Sequence, residues 1–143
     1  MKLREVADAD LDTFFEQQAD REAYELADLP PRDRPAFDEH WARIRNDPSV
    51  TIRTIDVDGQ VAGHVLSFDR DGVRLAGYWL GREYWGRGLA TQALAGLLEI
   101  EKHRPLVAEV ATHNAGSMRV LEKNGFRLLC ELPDGYAYEL RER

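Results

Sequence analysis

The feature that most constrains the fold is a central stretch in which apolar and polar residues alternate, interrupted twice by an Asp-Gly pair. Val50 to Val57 reads VTIRTIDV, and Asp58-Gly59 and Asp71-Gly72 follow. Alternation with β-branched residues is typical of half-buried strands. Asp-Gly favours a tight hairpin because both central turn positions need a positive φ. We therefore predict an antiparallel meander of three strands, over residues 50–57, 60–68 and 73–80.

Two helices are predicted before the meander, after a short strand over residues 2–6. Asp8 is expected to cap the first helix, because Leu11 and Phe14 then mark one apolar face. Residues 20–32 lose this pattern and contain Pro30-Pro31, which predicts a loop. Asp33 is expected to cap the second helix, which has one apolar stripe formed by Phe37, Trp41 and Ile44.

A helix, a strand, another helix and a hairpin are predicted after the meander. The first helix covers about residues 87–102 and leads to a strand over 106–111, so a parallel crossover joins this strand to the meander. Asn114 is expected to cap the next helix. Strands over 126–131 and 136–140 complete the order β-α-α-β-β-β-α-β-α-β-β. This order predicts an α+β fold with a mixed sheet, in one domain spanning residues 1–143.

Composition and charge exclude several classes of function. The net charge of −7 argues against a nucleic-acid partner. No window is apolar over a membrane-spanning length, which argues against a membrane partner. Cys130 is the single cysteine, so an intrachain disulfide or a cysteine metal cluster is excluded, and no metal is expected. A lone cysteine fits a reducing, cytoplasmic setting, and we expect its thiol to be buried and inert.

The stretch YWGRGLATQAL, from Tyr84 to Leu94, places two glycines between a strand and a helix. The first N–H groups of a helix lack partners within it and carry partial positive charge. Gly86 and Gly88 would let an anion approach the backbone N–H groups from Arg87 to Thr91 closely. The alternative is a tight connection with no ligand. No Walker A string is present, and Thr91 occupies the last position of a dinucleotide fingerprint, which also requires a doubly wound parallel sheet.

Two segments resemble the Gcn5-related N-acetyltransferase (GNAT) superfamily, especially its branch of ribosomal-protein-type N-acetyltransferases. They are GYWLGREYWGRGLATQAL, from Gly77 to Leu94, and EVATHNAGSMRVLEKNGF, from Glu109 to Phe126. The resemblance implies a mostly antiparallel sheet with a splayed parallel pair in its middle. It implies acetyl transfer from acetyl-CoA, without a metal, to a primary amine on a peptide N-terminus or a small molecule. A homodimer is a further expectation from the family.

The resemblance also assigns site residues. The pyrophosphate of CoA would lie on the turn, and the pantetheine arm would lie between the splayed strands. The cofactor-binding residues are then Leu80, Gly86, Arg87, Gly88, Leu89, Ala90, Thr91, Asn114 and Ser117. The backbone N–H of Leu80 would bind the oxyanion.

A lysine-like amine arrives protonated, so the reaction needs a base. Glu109 is the candidate, because some members of the family carry a catalytic Glu at this position. Alternatively, Glu109 only fixes the sheet or a helix terminus by hydrogen bonds. Many members of the family carry a Tyr acid where this chain has Leu121. Ser117 or a water then takes that role, or no acid is needed.

Other functions and other residues stay open from the sequence. A non-catalytic acetyl-CoA-binding module and a protein that binds a different nucleotide are the alternative functions. His64 either faces the acceptor cleft or is a hydrogen-bonded histidine of the core or sheet face; we favour the second interpretation. Tyr78 and Trp79 alternate along a strand, so we expect one in the core and the other beside the cleft. His113 is expected to be a surface residue.

Overall fold

The chain is built around a mixed sheet with helices on both faces. The computed structural model describes residues 1–142. The strands are β1 (Lys2–Arg4), β2 (Thr51–Val57), β3 (Gln60–Arg70), β4 (Val73–Leu80), β5 (Leu106–Ala111), β6 (Arg127–Leu132) and β7 (Gly135–Leu140). The helices are α1 (Asp10–Ala19), α2 (Arg21–Ala27), α3 (Arg34–Arg45), α4 (Leu89–Ile100) and α5 (Ala115–Lys123). A 3-10 turn, Arg82–Tyr84, links β4 to the segment before α4. No helix in the described part of the chain has the length and apolar character needed to cross a membrane.

The seven strands form one sheet in the order β1-β2-β3-β4-β5-β7-β6. Neighbouring strands are antiparallel except β4 and β5, which are parallel and lie in the middle. The predicted α+β fold, with its mostly antiparallel sheet and central parallel pair, is confirmed.

Both predicted Asp-Gly hairpins are present, with the backbone that the sequence requires. Asp58 and Gly59 have φ of 52° and 83°, and Asp71 and Gly72 have φ of 52° and 81°. Aspartate and glycine tolerate this left-handed region better than most other residues do. The turns fix the register of β2, β3 and β4, and so fix which side chains share a face of the sheet.

Two apolar clusters hold the helices on opposite faces of the sheet. The larger cluster packs α4 and α5 against one face; Leu94, Leu97 and Leu106 are almost fully buried there. The smaller cluster packs α1 and α3 against the β2–β3 part of the other face, through Phe14 and Trp41 among others. Trp41, from the predicted apolar stripe of the second helix, is buried at 4% exposure. The central strands therefore lie between an α4–α5 side and an α1–α3 side.

The segment predicted as a loop over residues 20–32 contains a helix, so this prediction is wrong in part. Helix α2 covers Arg21–Ala27 and ends at Asp28, which adopts a left-handed conformation with φ of 56°. Within α2, only Ala23 is buried. A seven-residue helix with so little buried surface leaves no clear apolar periodicity in the sequence.

The first helix begins two residues later than the predicted cap, so Asp8 is not its N-cap. Ala9 occupies that position without a side-chain hydrogen bond, and the Asp8 carboxylate instead accepts a hydrogen bond from Arg45 at 2.8 Å. Asp10 accepts from the N–H of Ala7 at 2.8 Å. The prediction for Asp33 is confirmed, because its carboxylate accepts from the N–H of Ala36 at 3.0 Å.

Cys130 is exposed, so the predicted buried thiol is wrong. It lies on β6, which is the last strand in the sheet order. An edge strand has a neighbour on one side only. The apolar neighbours Leu128 and Leu129, which favour burial in the sequence, are exposed as well.

Candidate functional site

The parallel strands β4 and β5 separate soon after they meet. Their ladder consists of one pair, Leu75 with Val107, although both strands continue beyond it. Gly81 donates its N–H to the carbonyl of Ala62 on β3 at 2.8 Å. Because consecutive N–H groups along an extended strand point in opposite directions, the N–H of Leu80 points away from β3, toward the gap. The gap therefore presents main-chain groups of β4 to any ligand that enters it.

The glycine turn before α4 presents a series of unpaired backbone donors. Gly86 and Gly88 have φ of 73° and 75°. Gly88 is the N-cap of α4, and it has no side chain that could accept a hydrogen bond from the first N–H groups of the helix. The first backbone bond of this helix runs from the N–H of Gln92 to the carbonyl of Gly88. Within residues 1–142, no protein acceptor receives the six N–H groups from Gly86 to Thr91. Such a concentration of N–H groups at a helix N-terminus suits an anion.

Side chains around this turn leave the donors accessible. The guanidinium of Arg87 lies over the ring of Tyr84, 5.6 Å from its centroid, so the side chain packs on a neighbour. A Cβ added to Gly86 would meet nothing within 4 Å, so open space surrounds this position. Arg119 and Lys123, on α5, line the same cavity and add positive charge.

The N-terminus of α5 lies across the gap from the glycine turn. Asn114 caps the helix by accepting the N–H of Ser117 on its side-chain oxygen at 3.2 Å, which confirms the predicted cap. His113 is exposed, as expected, and its Nε2 lies 3.3 Å from the carbonyl of Glu25 on α2. Helices α4 and α5 therefore begin on either side of one cavity.

This first cavity, which we call the turn cavity, has a volume of about 560 Å³. Its wall includes every residue that the sequence assigned to cofactor binding except Arg87: Leu80, Gly86, Gly88, Leu89, Ala90, Thr91, Asn114 and Ser117. The fold therefore brings two distant segments of the chain to one site.

A second cavity, which we call the face cavity, has a volume of about 700 Å³ and opens on the α1–α3 side of the sheet. It extends through the gap, since Leu94, Ser117 and Leu121 from the α4–α5 side also line it. Its aromatic wall residues are Phe14, Phe37, Trp41, Phe68, Tyr78 and Trp79. Its charged wall residues are Asp28, Arg32, Arg70, Glu109 and Asp134. The cavity thus combines a large aromatic surface with three carboxylates and two guanidinium groups.

Glu109 reaches the face cavity from β5. Its side chain is exposed, and Oε2 accepts a hydrogen bond from Nη2 of Arg70 at 2.6 Å. The contact raises the pKa of Arg70 above its ordinary value. Ser117 and Tyr78 line the same cavity, so the structure brings the candidate base to the same cavity as the splayed strands.

His64 departs from the hydrogen-bonded histidine that the sequence favoured. Its ring packs against Phe14 and Trp41, at centroid distances of 5.0 and 4.9 Å. Its Nδ1 atom is buried and has no hydrogen-bond partner among the described residues. Burial, and to a lesser degree the charge of His40, lower the pKa of His64 to about 3, so the ring is neutral at neutral pH.

Tyr78 and Ser117 form a contact that the sequence did not predict. The Tyr78 Oη atom lies 2.5 Å from Ser117 Oγ, across the gap between β4 and α5. Tyr78 and Trp79 both line the face cavity and the turn cavity, so the expected division between core and cleft is wrong. Alternation along β4 could have placed Tyr78 on the face of Leu80, but it carries no information on what lies opposite.

Leu121 lies at the position where many members of the GNAT superfamily carry a Tyr. Its side chain is buried, at 4% exposure, within the larger cluster. Among residues 1–142, no group of three or more His, Cys, Asp or Glu side chains could hold a metal ion. The polar groups at the meeting point of the cavities are therefore hydroxyls, an amide, an indole N–H and backbone groups.

Comparison with known proteins identifies relatives of this fold. The sequence profile described as "Acetyltransferase (GNAT) domain" matches residues 1–127. No curated protein sequence matches the chain significantly. Spermidine N-acetyltransferase from Vibrio cholerae, solved with CoA and spermine, superposes with a TM-score of 0.86 at 16% identity, covering 99% of this chain and 95% of that one. An aminoglycoside acetyltransferase solved with coenzyme A gives a TM-score of 0.79 at 22% identity, covering 99% and 94%. An acetyltransferase from Agrobacterium tumefaciens gives 0.81 at 21% identity, covering 98% and 90%.

Proposed function

The chain belongs to the GNAT acetyltransferase family, and from this premise we propose that it transfers an acetyl group from acetyl-CoA to a primary amine. The observation that carries the proposal is the series of six unpaired N–H groups from Gly86 to Thr91, beside a gap between parallel strands. Structural neighbours with the same fold were solved with CoA bound.

The turn cavity suits two parts of CoA, the charged pyrophosphate and the polar pantetheine arm. The pyrophosphate of CoA would accept hydrogen bonds from the N–H groups between Gly86 and Thr91, including the N–H of Arg87. Arg119 and Lys123 would add attraction from α5. The pantetheine arm would extend along the gap, beside Asn114 and Ser117, and pair with the main chain near Leu80.

When bound, acetyl-CoA supplies an already activated acyl group, so the protein needs no covalent intermediate. Its residues must align the amine with the thioester, and alignment alone is worth about 7–11 kcal/mol in favourable cases. Glu109 would remove the proton of the attacking amine through water. The N–H of Leu80, which faces the gap, would donate to the oxygen that gains negative charge.

The chemistry of the face cavity favours one amine on an apolar body over a polycation. Three carboxylates face two guanidinium groups there, and Glu109 is already paired with Arg70. Burial, followed by Arg32 and Arg43, lowers the pKa of His40 to about 4, so His40 and His64 are both neutral at neutral pH. The aromatic wall suits an apolar or aromatic substituent.

Both acceptor types named from the sequence fit this description. A peptide N-terminus is the acceptor that the ribosomal-protein-type branch implies, and a small-molecule amine is the other, which the aromatic wall narrows to one with an apolar or aromatic body. A homodimer and a cytoplasmic location stay predictions from the resemblance and the single cysteine.

A non-catalytic acetyl-CoA-binding module is the second candidate, favoured by the buried, apolar Leu121 where many relatives carry a hydroxyl. Release of free thiol from acetyl-CoA separates the two functions. The transferase releases thiol when phenethylamine, peptides with free N-termini or spermidine are added, and the binding module does not. A higher kcat/KM for spermidine than for phenethylamine would contradict the preference for one amine on an apolar body. The proposal that the protein is an acetyltransferase would still stand.

The cofactor site is tested by a matched pair of glycine variants. Gly86→Ala and Gly72→Ala each place a Cβ at a positive φ, 73° and 81°, with no atom within 4 Å. Both should lose about 1–2 kcal/mol of stability through backbone strain. Of the two, only Gly86 borders the turn cavity, where the added Cβ should hold the pyrophosphate away from the backbone N–H groups. One lost hydrogen bond to a charged group is worth about 1.5–3 kcal/mol, so Gly86→Ala should weaken CoA binding about 10- to 100-fold. Equal CoA affinity in the two variants, measured by calorimetry, would overturn the proposed site.

A further inference from the structure

The turn cavity and the face cavity share a short wall. The residues that line both are Ala27, Tyr78, Trp79, Asn114 and Ser117. A group that passes between a ligand in one cavity and a ligand in the other must cross beside this wall. The reacting atoms of the proposed transfer therefore lie within reach of its polar groups.

Two of the five shared residues already use a polar side-chain atom to hold the fold. Trp79 donates its Nε1–H to the carbonyl of Gln17 at 3.2 Å. Asn114 accepts the N–H of Ser117 on its side-chain oxygen. Ala27 has no polar side chain, so the groups left to act on a ligand are the hydroxyls of Tyr78 and Ser117 and the side-chain N–H groups of Asn114. Of these, the two hydroxyls contact each other across the gap.

The hydroxyl pair is held from both sides of the gap. Tyr78 belongs to β4 and packs against the larger apolar cluster, whereas Ser117 lies in the first turn of α5, whose start is fixed by Asn114. The two oxygens are 2.5 Å apart. When Ser117 donates this hydrogen bond, the Tyr78 proton is free to point at a ligand in the gap.

Tyr78 keeps its proton at neutral pH. Burial raises its pKa above the ordinary value of 10.0, and the hydrogen bond with Ser117 offsets this only in part. A thiol has an ordinary pKa of about 8.5, below that of a phenol, so transfer of the proton from Tyr78 to a thiolate is unfavourable. The role that suits Tyr78 is hydrogen-bond donation to a sulfur anion.

We propose that Tyr78, oriented by Ser117, donates the hydrogen bond that stabilises the thiolate as it leaves the acetyl group. The inference rests on the proposed function and assigns a residue to it. As the C–N bond forms and the C–S bond breaks, the electron pair of that bond moves to sulfur, beside Tyr78 Oη. The proton lost by the amine passes through water toward Glu109 and solvent. The thiolate later takes a proton from solvent, so the protons balance.

This assignment accounts for the apolar residue at position 121. The hydroxyl reaches the reacting atoms from β4 instead of α5, and Leu121 packs in the core. Tyr78 is thus a catalytic residue that touches the leaving group, and Ser117 is a positioning residue for it.

The test compares the wild-type protein with Tyr78→Phe in two measurements. One hydrogen bond to a charged group is worth about 10- to 100-fold, so kcat for the best amine should fall by that factor, with little change in the KM for acetyl-CoA. The second measurement needs no turnover: free CoA is bound, and its thiol is titrated by the ultraviolet absorbance of the thiolate. The pKa of the bound thiol should be about 1 to 2 higher in Tyr78→Phe.

Two controls isolate the hydroxyl of Tyr78. Tyr138→Phe removes another tyrosine hydroxyl, from a buried residue on β7 outside both cavities, and should change neither measurement. Every other titratable group that lines the two cavities is the same in wild type and in the variants: Asp28, Arg32, His40, His64, Arg70, Tyr84, Glu109, His113, Arg119, Lys123 and Asp134. Ser117→Ala should give a smaller rise in the pKa of the bound thiol than Tyr78→Phe, because the donor is retained but is no longer held.

Each outcome decides the inference. An unchanged pKa of the bound thiol in Tyr78→Phe overturns it, even if kcat falls, because the hydroxyl then serves only the fold. If the wild-type protein binds CoA but acetylates no amine, the proposed function fails, and the titration of the bound thiol still judges Tyr78. If acetylation proceeds and both measurements match wild type, the inference fails and the proposed function stands.

Discussion

The two cavities that meet at Tyr78 and Ser117 differ in what forms their polar surface. In the turn cavity the donors are mostly backbone N–H groups, supplied by the glycine turn and the first turn of α4. In the face cavity the polar groups are side chains, supplied by α1, α3, the loop before α3, strands β3, β4 and β5, and the start of α5. One cavity is therefore set by local backbone geometry and the other by tertiary packing.

This difference means that the two cavities tolerate change differently. A backbone cradle accepts most side chains at its non-glycine positions, as long as the turn and the helix start are kept. A wall of side chains changes its chemistry with each substitution. We therefore infer that the fold fixes the donor of the acetyl group more firmly than it fixes the acceptor.

The largest effect is expected at Glu109, and it should separate the two cavities. Glu109→Gln keeps the size of the side chain but removes the carboxylate that we propose as the base. General-base catalysis contributes about 10²–10⁴-fold, so kcat should fall at least about 100-fold. Because Glu109 does not line the turn cavity, calorimetry should show unchanged affinity for CoA.

Glu131→Gln is the matched control, since Glu131 is an exposed strand residue outside both cavities. It should leave kcat unchanged. Wild-type kcat in Glu109→Gln would assign Glu109 to its pair with Arg70, and an exposed pair contributes only about 0–1 kcal/mol to stability. Weaker CoA binding in this variant would break the separation between the cavities.

The same difference decides what was predictable from the sequence. The Asp-Gly turns and the Gly86–Gly88 turn are local, because a positive φ and a helix start depend on a few consecutive residues. The caps at Asp33 and Asn114 are local too, and they were correct. The predicted cap at Asp8 is wrong because the helix begins at Asp10. The carboxylate of Asp10 accepts hydrogen bonds from Arg4, from the N–H of Ala7 and from Thr54, and two of these donors lie on strands β1 and β2.

The face cavity was not predictable because its wall residues lie far apart in the sequence. His64 packs between aromatic rings from α1 and α3, and nothing near it in the sequence indicates that Nδ1 lacks a partner. The contact of Tyr78 with Ser117 spans 39 residues and depends on the splay of β4 from β5. Helix α2 was missed because it buries so little apolar surface.

A smaller effect is expected from the pH dependence of stability, and its source is His64, which lines the face cavity. The pKa of His64 is about 3 in the folded protein and about 6.5 in the unfolded chain, so between these values the unfolded chain binds more protons. Stability is therefore lost as pH falls below 6.5. Between pH 7 and pH 5, His64 should account for a loss of about 2 kcal/mol in the free energy of unfolding.

His64→Leu removes this titration and the unpartnered Nδ1 atom together. Urea unfolding at pH 7 and pH 5 should show a smaller loss in the variant than in the wild-type protein. CoA affinity at pH 7 should be the same in both proteins, because His64 does not line the turn cavity. An identical pH dependence of the two proteins would show that the folded His64 ring titrates like a free one.

The smallest effect is expected from two helix caps, of which only Asn114 borders the turn cavity. Asp33 caps α3 at 3.0 Å and Asn114 caps α5 at 3.2 Å. Removing either cap by Asp33→Ala or Asn114→Ala should cost about 1 kcal/mol of unfolding free energy. CoA affinity should fall in Asn114→Ala alone, because Asn114 lines the turn cavity and fixes Ser117, whereas α3 contacts only the face cavity. Equal CoA binding in the two variants, measured by calorimetry beside urea unfolding, would mean that the first turn of α5 serves the fold and not the ligand.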